Sequence, residues 1–502
     1  MATAAHERLS AMDRSFLVFE DAGEHMHLAG VAILDGRPLI RPEGGVAIER
    51  IRRHFGSRLH WLPRLRQRLA WVPIYNSPVW VDDADFDVSY HVRQAALPYP
   101  GDDAMLKGLT ARLASEPLDR NKPLWEFWII EGLQEERVAL FGKMHHAVAD
   151  GILAFYFFAS LVSMTPDTAV EEAPPWTPQP VPTRSSLLRD EFVFQTTRPI
   201  AIVRDAVEVL RTPDRLLSRA SEGLRALRHV FGAGSSPAPA TPLNQRIGRN
   251  RRCDWLTLDL DDVKAIKKRL GGTVNDVVLA IVGGAVRRFL VGRGVDIRGL
   301  QYRVTVPVNV RGQDEQGLMN NRVSGWLLTL PVDEPDAQRR YDLVSQRTAE
   351  LKSVHQELGP SLLQRALEYA PAALTLTIRL LIRLNSYNLV VSNLPGPPLP
   401  LYFLGAQLVG GYPLVPLFEN QGLSVGITSY CGTLYWGFNA DRDLVPDLDR
   451  FVGAVRAEVD ELRDVAALEP GAETRPGPAR ALRHSAGRRR RRSARAAVRH
   501  SE

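Results

Sequence analysis

The chain has 502 residues, of which 45% are hydrophobic and 24% charged, the balance of a soluble globular protein with room for two large domains rather than one core. Its formal charge of +6 does not mark a nucleic-acid binder, because residues 466–502 hold ten arginines against three acids and leave residues 1–465 at −1. Only Cys253 and Cys431 are present, no stretch reaches the roughly eighteen uninterrupted apolar residues of a bilayer span, and the charged start Met1 to Phe16 lacks a secretory core, so no disulfide framework, membrane span or signal peptide is expected and a cytoplasmic location follows by default.

In chain order, residues 1–165 alternate strand and helix character. Val138-Ala139-Leu140-Phe141 reads as a buried strand and Ile152 to Val162 as an apolar helix. Between them lies His145-His146-Ala147-Val148-Ala149-Asp150-Gly151, which puts a proton acceptor and a carboxylate at a strand-to-helix junction. Rigid flanking elements fix such side chains while the turn leaves them accessible. The structural alternative is that the histidines cap the strand and Asp150 caps the first amides of the helix.

Residues 166–250 form a different middle. The run from Ala173 to Pro182 holds too many prolines for a helix or a central strand and reads as an extended connector. From Ser185 to Val230 the pattern is helical, with breaks expected near Pro199 and Pro213. Leu216, Ala220, Leu224 and Leu227 share one helical face while Arg215, Arg219 and Arg228 fall elsewhere, a pattern that suits packing on the protein's own core or lying on a membrane surface.

Residues 251–465 again mix α and β. Trp255 to Leu260 alternates as a strand, followed by a helix through Leu270. Thr273-Val274-Asn275-Asp276 opens a helix that runs to about Val291, and the Thr273/Asp276 spacing is that of a capping box, which accounts for the acid without any chemistry. Tyr302 to Arg311 and a segment ending at Leu330 read as strands, and Leu423–Tyr430 with Thr433–Phe438 as a hairpin across Cys431-Gly432. Residues 466–502 read as a disordered arginine-rich tail.

Competing motifs fail on context. Gly422-Leu423-Ser424-Val425-Gly426 has the spacing of a serine-hydrolase elbow, but a strand rather than a helix follows the serine, and the only later histidines, His484 and His500, lie in the tail. No phosphate-binding Gly-x4-Gly-Lys-Ser/Thr loop and no completed dinucleotide fingerprint exist. His145, His146 and Asp150 lack a fixed fourth metal ligand, so no metal is expected.

Taken together, the ordered motifs resemble the bacterial wax ester synthase/acyl-CoA:diacylglycerol acyltransferase family over nearly all of residues 7–465. The resemblance is carried by Leu9-Ser10 with Asp13 and Phe16, Met26-His27, Pro63 to Leu69, Asp85-Phe86-Asp87 with His91-Val92, Leu97-Pro98 with Pro100-Gly101, Pro117-Leu118-Asp119-Arg120 and Pro123-Leu124-Trp125 ahead of the His-His-x-x-x-Asp-Gly run. Asn275-Asp276, Pro307-Val308 with Arg311, Ser392 to Pro397, and Asp441 with Pro446-Asp447 continue it. Asn309 where a serine is usual, Cys431 where an acid is usual, and the arginine tail depart from the pattern.

The resemblance implies a mixed α/β fold of two chloramphenicol acetyltransferase-like halves around a central tunnel, with the signature midway along it. It implies an O-acyltransferase that moves a long-chain acyl group from acyl-CoA to diacylglycerol, a long-chain alcohol or both, with no cofactor beyond the CoA co-substrate. His146 would be the general base, His145 a supporting group, Asp150 an orienting residue and Gly151 the point of close backbone approach to substrate. Asn275, Asp276 and Arg311 would be structural support. A related enzyme with an amine acceptor, and a catalytically silent lipid-binding homologue, are the alternatives. Contact with a membrane or lipid-droplet surface is an expected partnership; a specific nucleic acid is not.

Overall fold

A computed structural model of the chain describes residues 6–20, 23–149, 151–210, 237–309, 323–357 and 387–467. Two six-stranded mixed sheets dominate it. The first has the spatial order Tyr402–Phe403, Ala406–Leu414, His27–Asp35, Arg137–His145, Trp125–Glu131, Val92–Ala96. The second runs Val323–Leu330, Tyr302–Asn309, Leu389–Leu394, Leu423–Tyr430, Thr433–Asp441, Arg251–Asp259. A small third sheet joins Glu7–Arg8 to the hairpin Gln67–Val72/Ser77–Asp82.

The central strand of the first sheet, Arg137–His145, buries Val138, Ala139, Leu140 and Phe141 in succession, as a strand covered on both faces must. It pairs antiparallel with His27–Asp35, and the register sets His27 opposite His145. Local rules also hold in the second half. The Thr273 hydroxyl and the Asp276 carboxylate cap each other's amides at the start of the helix Val274–Gly292, and Cys431 and Gly432 both take positive φ (46° and 81°), as a two-residue hairpin turn requires. The helix Leu448–Val465 packs Phe451, Val455 and Val459 against that capped helix in one large apolar cluster.

The halves exchange a segment. Ala406–Leu414 comes from the second half in sequence, yet it pairs antiparallel with His27–Asp35 and extends the first sheet. Its other face lies against Thr433–Asp441, where the Tyr435 hydroxyl donates to the Val409 carbonyl at 2.8 Å and a Cβ on Gly437 would collide with the carbonyl of Pro413. A second seam is made by the helix Asp103–Ser115 and the strand Arg251–Asp259: the Trp255 indole N–H donates to Asp103 at 2.9 Å, Lys107 pairs with Asp254 at 2.7 Å, and Cys253 and Trp255 join Leu106, Leu113 and Phe141 in a shared apolar cluster.

One sequence expectation changes and another is met. The helix Arg184–Leu210 keeps a helical backbone through Pro199, where a break was expected. A proline there removes one N–H donor, and the helix is anchored upstream by Leu187 among Val72, Val79 and Val81 and by Glu191 beside Arg8 at 3.2 Å. Ser424 lies inside a strand, with its hydroxyl donating to the Val415 carbonyl at 2.7 Å, so the elbow-like spacing around it is a sheet-packing pattern. The amphipathic stretch Leu216 to Leu227 and the arginine tail lie outside the described residues.

Candidate functional site

The strand Arg137–His145 ends on His145, a tight turn carries His146, Ala147 and Val148, and the helix Gly151–Ser160 begins at Gly151. Three backbone bonds hold the turn: His145 N–H to the Leu124 carbonyl at 2.9 Å, His146 N–H to the Met26 carbonyl at 2.7 Å, and Val148 N–H to the His145 carbonyl at 2.9 Å. The His146 ring is half-buried and stacks on Phe16, with centroids 4.1 Å apart and planes at 22°. Strand and backbone thus fix the imidazole from one side and an aromatic face from the other.

The two histidines face different surroundings. His145 is 1% exposed, and its Nδ1 accepts the Ala147 backbone N–H at 3.0 Å. An accepting Nδ1 carries no proton, so the ring proton is on Nε2, which faces a Glu20 carboxylate oxygen at 3.5 Å. Glu20 also lies 3.6 Å from His27 Nε2 and 3.9 Å from His25 Nδ1, and it accepts from the Arg120 guanidinium at 2.5 Å. Burial by itself would raise the Glu20 carboxyl; the contacts with His145 and then Arg120 outweigh it and bring it down to about 2. Burial, followed by the nearby Lys143 cation, pushes the His27 imidazole well below its ordinary 6.5, so His27 is neutral at pH 7. Among the described residues no group of three or more His, Cys, Asp or Glu side chains is arranged to hold a metal ion.

On the far side of Glu20 a cavity of about 550 Å³ opens between the halves, bordered by Glu20, His25, Arg112, Arg120, Arg249 and Asn250. Arg112 and Arg249 are exposed at this cavity.

Of the expected site residues, His145, His146 and Gly151 come together in one turn. Asp150 and Arg311 lie outside the described residues. Asn275 and Asp276 sit at the start of the helix Val274–Gly292, where Asp276 accepts from Thr273 N–H at 2.7 Å, Thr273 Oγ1 at 2.8 Å and Thr348 Oγ1 at 2.6 Å, all bonds within the second half. Sequence reasoning missed Glu20 as a site residue. His27 and Arg120 stood in motifs without a role, and it is the sheet register and a contact across 100 residues that bring them to Glu20.

The wax ester synthase/diacylglycerol acyltransferase catalytic domain matches residues 9–278 and the corresponding C-terminal domain residues 319–463. A putative diacylglycerol O-acyltransferase of Mycobacterium tuberculosis is 33% identical over 461 residues, which cover 89% of this chain and 88% of the relative. The solved wax ester synthase/diacylglycerol acyltransferase from Marinobacter aquaeolei VT8 superposes with a TM-score of 0.65 at 27% identity, covering 92% of this chain and 100% of that one. The first condensation domain of the CDA synthetase shares the fold at a TM-score of 0.58 and 15% identity, over 94% of this chain and 100% of that one. With both domains matched in order around a histidine turn held at the end of a buried strand, the chain belongs to the wax ester synthase/diacylglycerol acyltransferase family.

Proposed function

We propose that the chain transfers a long-chain acyl group from acyl-CoA to the hydroxyl of a diacylglycerol or a long-chain alcohol, with His146 as general base. The observation that carries this reading is the half-buried His146 ring, fixed between a strand end and Phe16. The acceptor oxygen attacks the thioester carbonyl carbon as His146 takes its proton. When the carbon–sulfur bond breaks, the proton passes to the departing CoA thiolate, so ester and free CoA are the products and no acyl-enzyme forms. The turn holds the base in place for both proton transfers, and the seam between the halves shields the thioester from water. Arg112 and Arg249 at the seam cavity offer cations to the phosphates of a CoA donor. Asp150 orients the turn, Gly151 gives the substrate close approach, Asn275, Asp276 and Arg311 support the second half, and the chemistry needs no cofactor.

The acceptors dissolve in lipid rather than water, and a surface feature suits their source. At the tip of the hairpin Gln67–Val72/Ser77–Asp82, Ile74 is 91% exposed with φ +65°, and Trp71 and Tyr75 beside it are 42% and 41% exposed. A β-branched residue in the left-handed region is strained, and full exposure to water returns nothing for it. At a lipid surface the same three side chains bury apolar area, and the Trp and Tyr rings match the headgroup level. We assign this tip to peripheral contact with a membrane or droplet surface. No helix of the described residues is long and apolar enough to cross a bilayer.

The test is CoA release from palmitoyl-CoA with a long-chain alcohol, a diacylglycerol or an amine offered in parallel. His146→Ala lowers acceptor-dependent release by about 10² to 10⁴-fold with the fold intact. Full activity in that variant removes His146 from the mechanism. Release that follows the amine alone moves the chain to the related class of acyltransferases, and no release with any acceptor leaves a lipid-binding protein.

A further inference from the structure

We infer that Glu20 is a positioning residue for acyl transfer, holding the His145 ring in the tautomer that braces the turn carrying His146. The inference rests on the acyltransferase reading for its kinetic part, and on the geometry alone for its structural part.

Glu20 follows directly on the helix Ala11–Phe19, which also supplies Phe16, the residue stacked on His146. Its carboxylate is 9% exposed and is fixed by the Arg120 guanidinium, which belongs to the loop between the helix Asp103–Ser115 and the strand Trp125–Glu131. From that anchor it faces His145 Nε2 at 3.5 Å, an ion–dipole contact beyond the length of a well-formed hydrogen bond. The opposite ring nitrogen accepts the Ala147 N–H at 3.0 Å, one residue past the proposed base.

These contacts act in one direction. A neutral imidazole has one proton to place. A carboxylate beside Nε2 favours the form with the proton there, and that form alone leaves Nδ1 able to accept from Ala147. With the proton on Nδ1, the ring would meet the Ala147 N–H donor to donor, and a buried backbone amide would lose its partner. His27 cannot take over, because it is neutral and faces the same carboxylate from the opposite strand at 3.6 Å. His145 is therefore the strut, Glu20 sets its protonation pattern, and Arg120 holds Glu20. The effect on the base travels through the backbone of the turn that joins His145 to His146.

The experiment is a double-mutant cycle read together with ¹⁵N NMR of the imidazole rings. Glu20→Ala lowers kcat about 100-fold while KM for palmitoyl-CoA and for the acceptor stays within about threefold, the signature of a misplaced catalytic group rather than a lost binding contact. In a His145→Ala background the same substitution changes kcat by less than about twofold, because the strut is already gone. Equal losses in both backgrounds overturn the inference. In the spectra, His145 is the Nε2–H tautomer in the wild type and a mixture of tautomers in Glu20→Ala; an unchanged ring signature in that variant also overturns it. Where Glu20→Ala does not fold, Glu20→Gln carries the test: it keeps the size of the side chain but lacks the charge that favours a proton on Nε2 and that fixes Arg120, so kcat falls about tenfold with KM unchanged, and wild-type kcat refutes the role. If the wild-type chain turns over no thioester, the acyltransferase reading fails while the ring signature still decides whether Glu20 governs His145.

Discussion

The two halves carry similar six-stranded sheets and bury very different things. Around the strand Arg137–His145 the first half buries Lys143, Glu126, His27, His145 and Glu20, with the Lys143 ammonium donating to the Leu113 and Glu116 carbonyls at 3.1 and 2.8 Å. The second half buries an apolar cluster from Leu256 through Val286 to Leu462, and its buried charges are each held in a pair or a cap: Glu458 clasped by Arg340, Arg251 beside Asp441, and Asp276 in the capping box. Buried polar groups cost stability unless each is satisfied, so a half that gathers histidines and a shared carboxylate at one strand end is organised for chemistry, and a half whose buried charges are locked in separate pairs and caps is organised to be rigid. Substitutions in the second half should therefore act on stability, and substitutions near the histidine turn on rate and on the response to pH.

The largest effect that would sharpen this contrast comes from Gly284→Ala. A Cβ there would collide with the Glu458 carboxyl, which cannot move aside because Arg340 and Arg288 hold it in a buried pocket. Thermal unfolding should report a loss of about 3 kcal/mol, with kcat per folded molecule unchanged; a normal melting temperature would show the second half to be looser than its packing indicates.

Acid should come next. Glu20 titrates at about 2 in the fold against an ordinary 4.5, so its contribution is complete above pH 4.5 and is lost as pH falls toward 2. Burial lowers His25 and His27 from 6.5, and since the unfolded chain then takes up their protons first, they begin the decline in the same direction below pH 6.5. The unfolding free energy from urea titrations at each pH should fall by on the order of 2 kcal/mol between pH 4.5 and 2, and Glu20→Gln should remove that part of the slope. A slope that survives in Glu20→Gln would place the acid sensitivity elsewhere.

Asp276→Ala removes one side of the capping box and the partner of Thr348, at a cost of about 1–2 kcal/mol. Its kcat should match the wild type, and a specific loss of kcat would pull this residue out of the scaffold and into the site.

A separate effect, on lipid binding rather than on folding stability, lies at the hairpin tip. Trp71→Ala with Ile74→Ser should weaken flotation with phospholipid vesicles by about 1–3 kcal/mol while hydrolysis-free turnover of a detergent-dispersed acceptor is kept. Unaltered flotation would move the lipid contact to another surface.

What was legible in the sequence was local. The capping box at Thr273 and the hairpin at Cys431-Gly432 each depend on a few consecutive residues, and both appear as read. The histidine turn was found because a buried strand and an apolar helix announce themselves on either side of it. The exchanged strand Ala406–Leu414 was not legible, since its partner is more than 370 residues away and alternation says nothing about which sheet a strand joins. Glu20 was missed for the same reason: an isolated acid after a short helix carries no pattern until the fold sets His145 and Arg120 around it. Pro199 shows the converse, a strong local rule that the continuous helical backbone of Arg184–Leu210 does not follow.

The exchange of Ala406–Leu414 also bears on how the molecule is born. A nascent chain that ends before residue 406 has made every histidine of the site but leaves His27–Asp35 as an open edge, a row of unsatisfied amides and carbonyls beside the site. Synthesis must run through four-fifths of the chain before that edge is closed, so the enzyme matures late and as a whole, and cutting it between the halves yields two sticky fragments rather than two working ones.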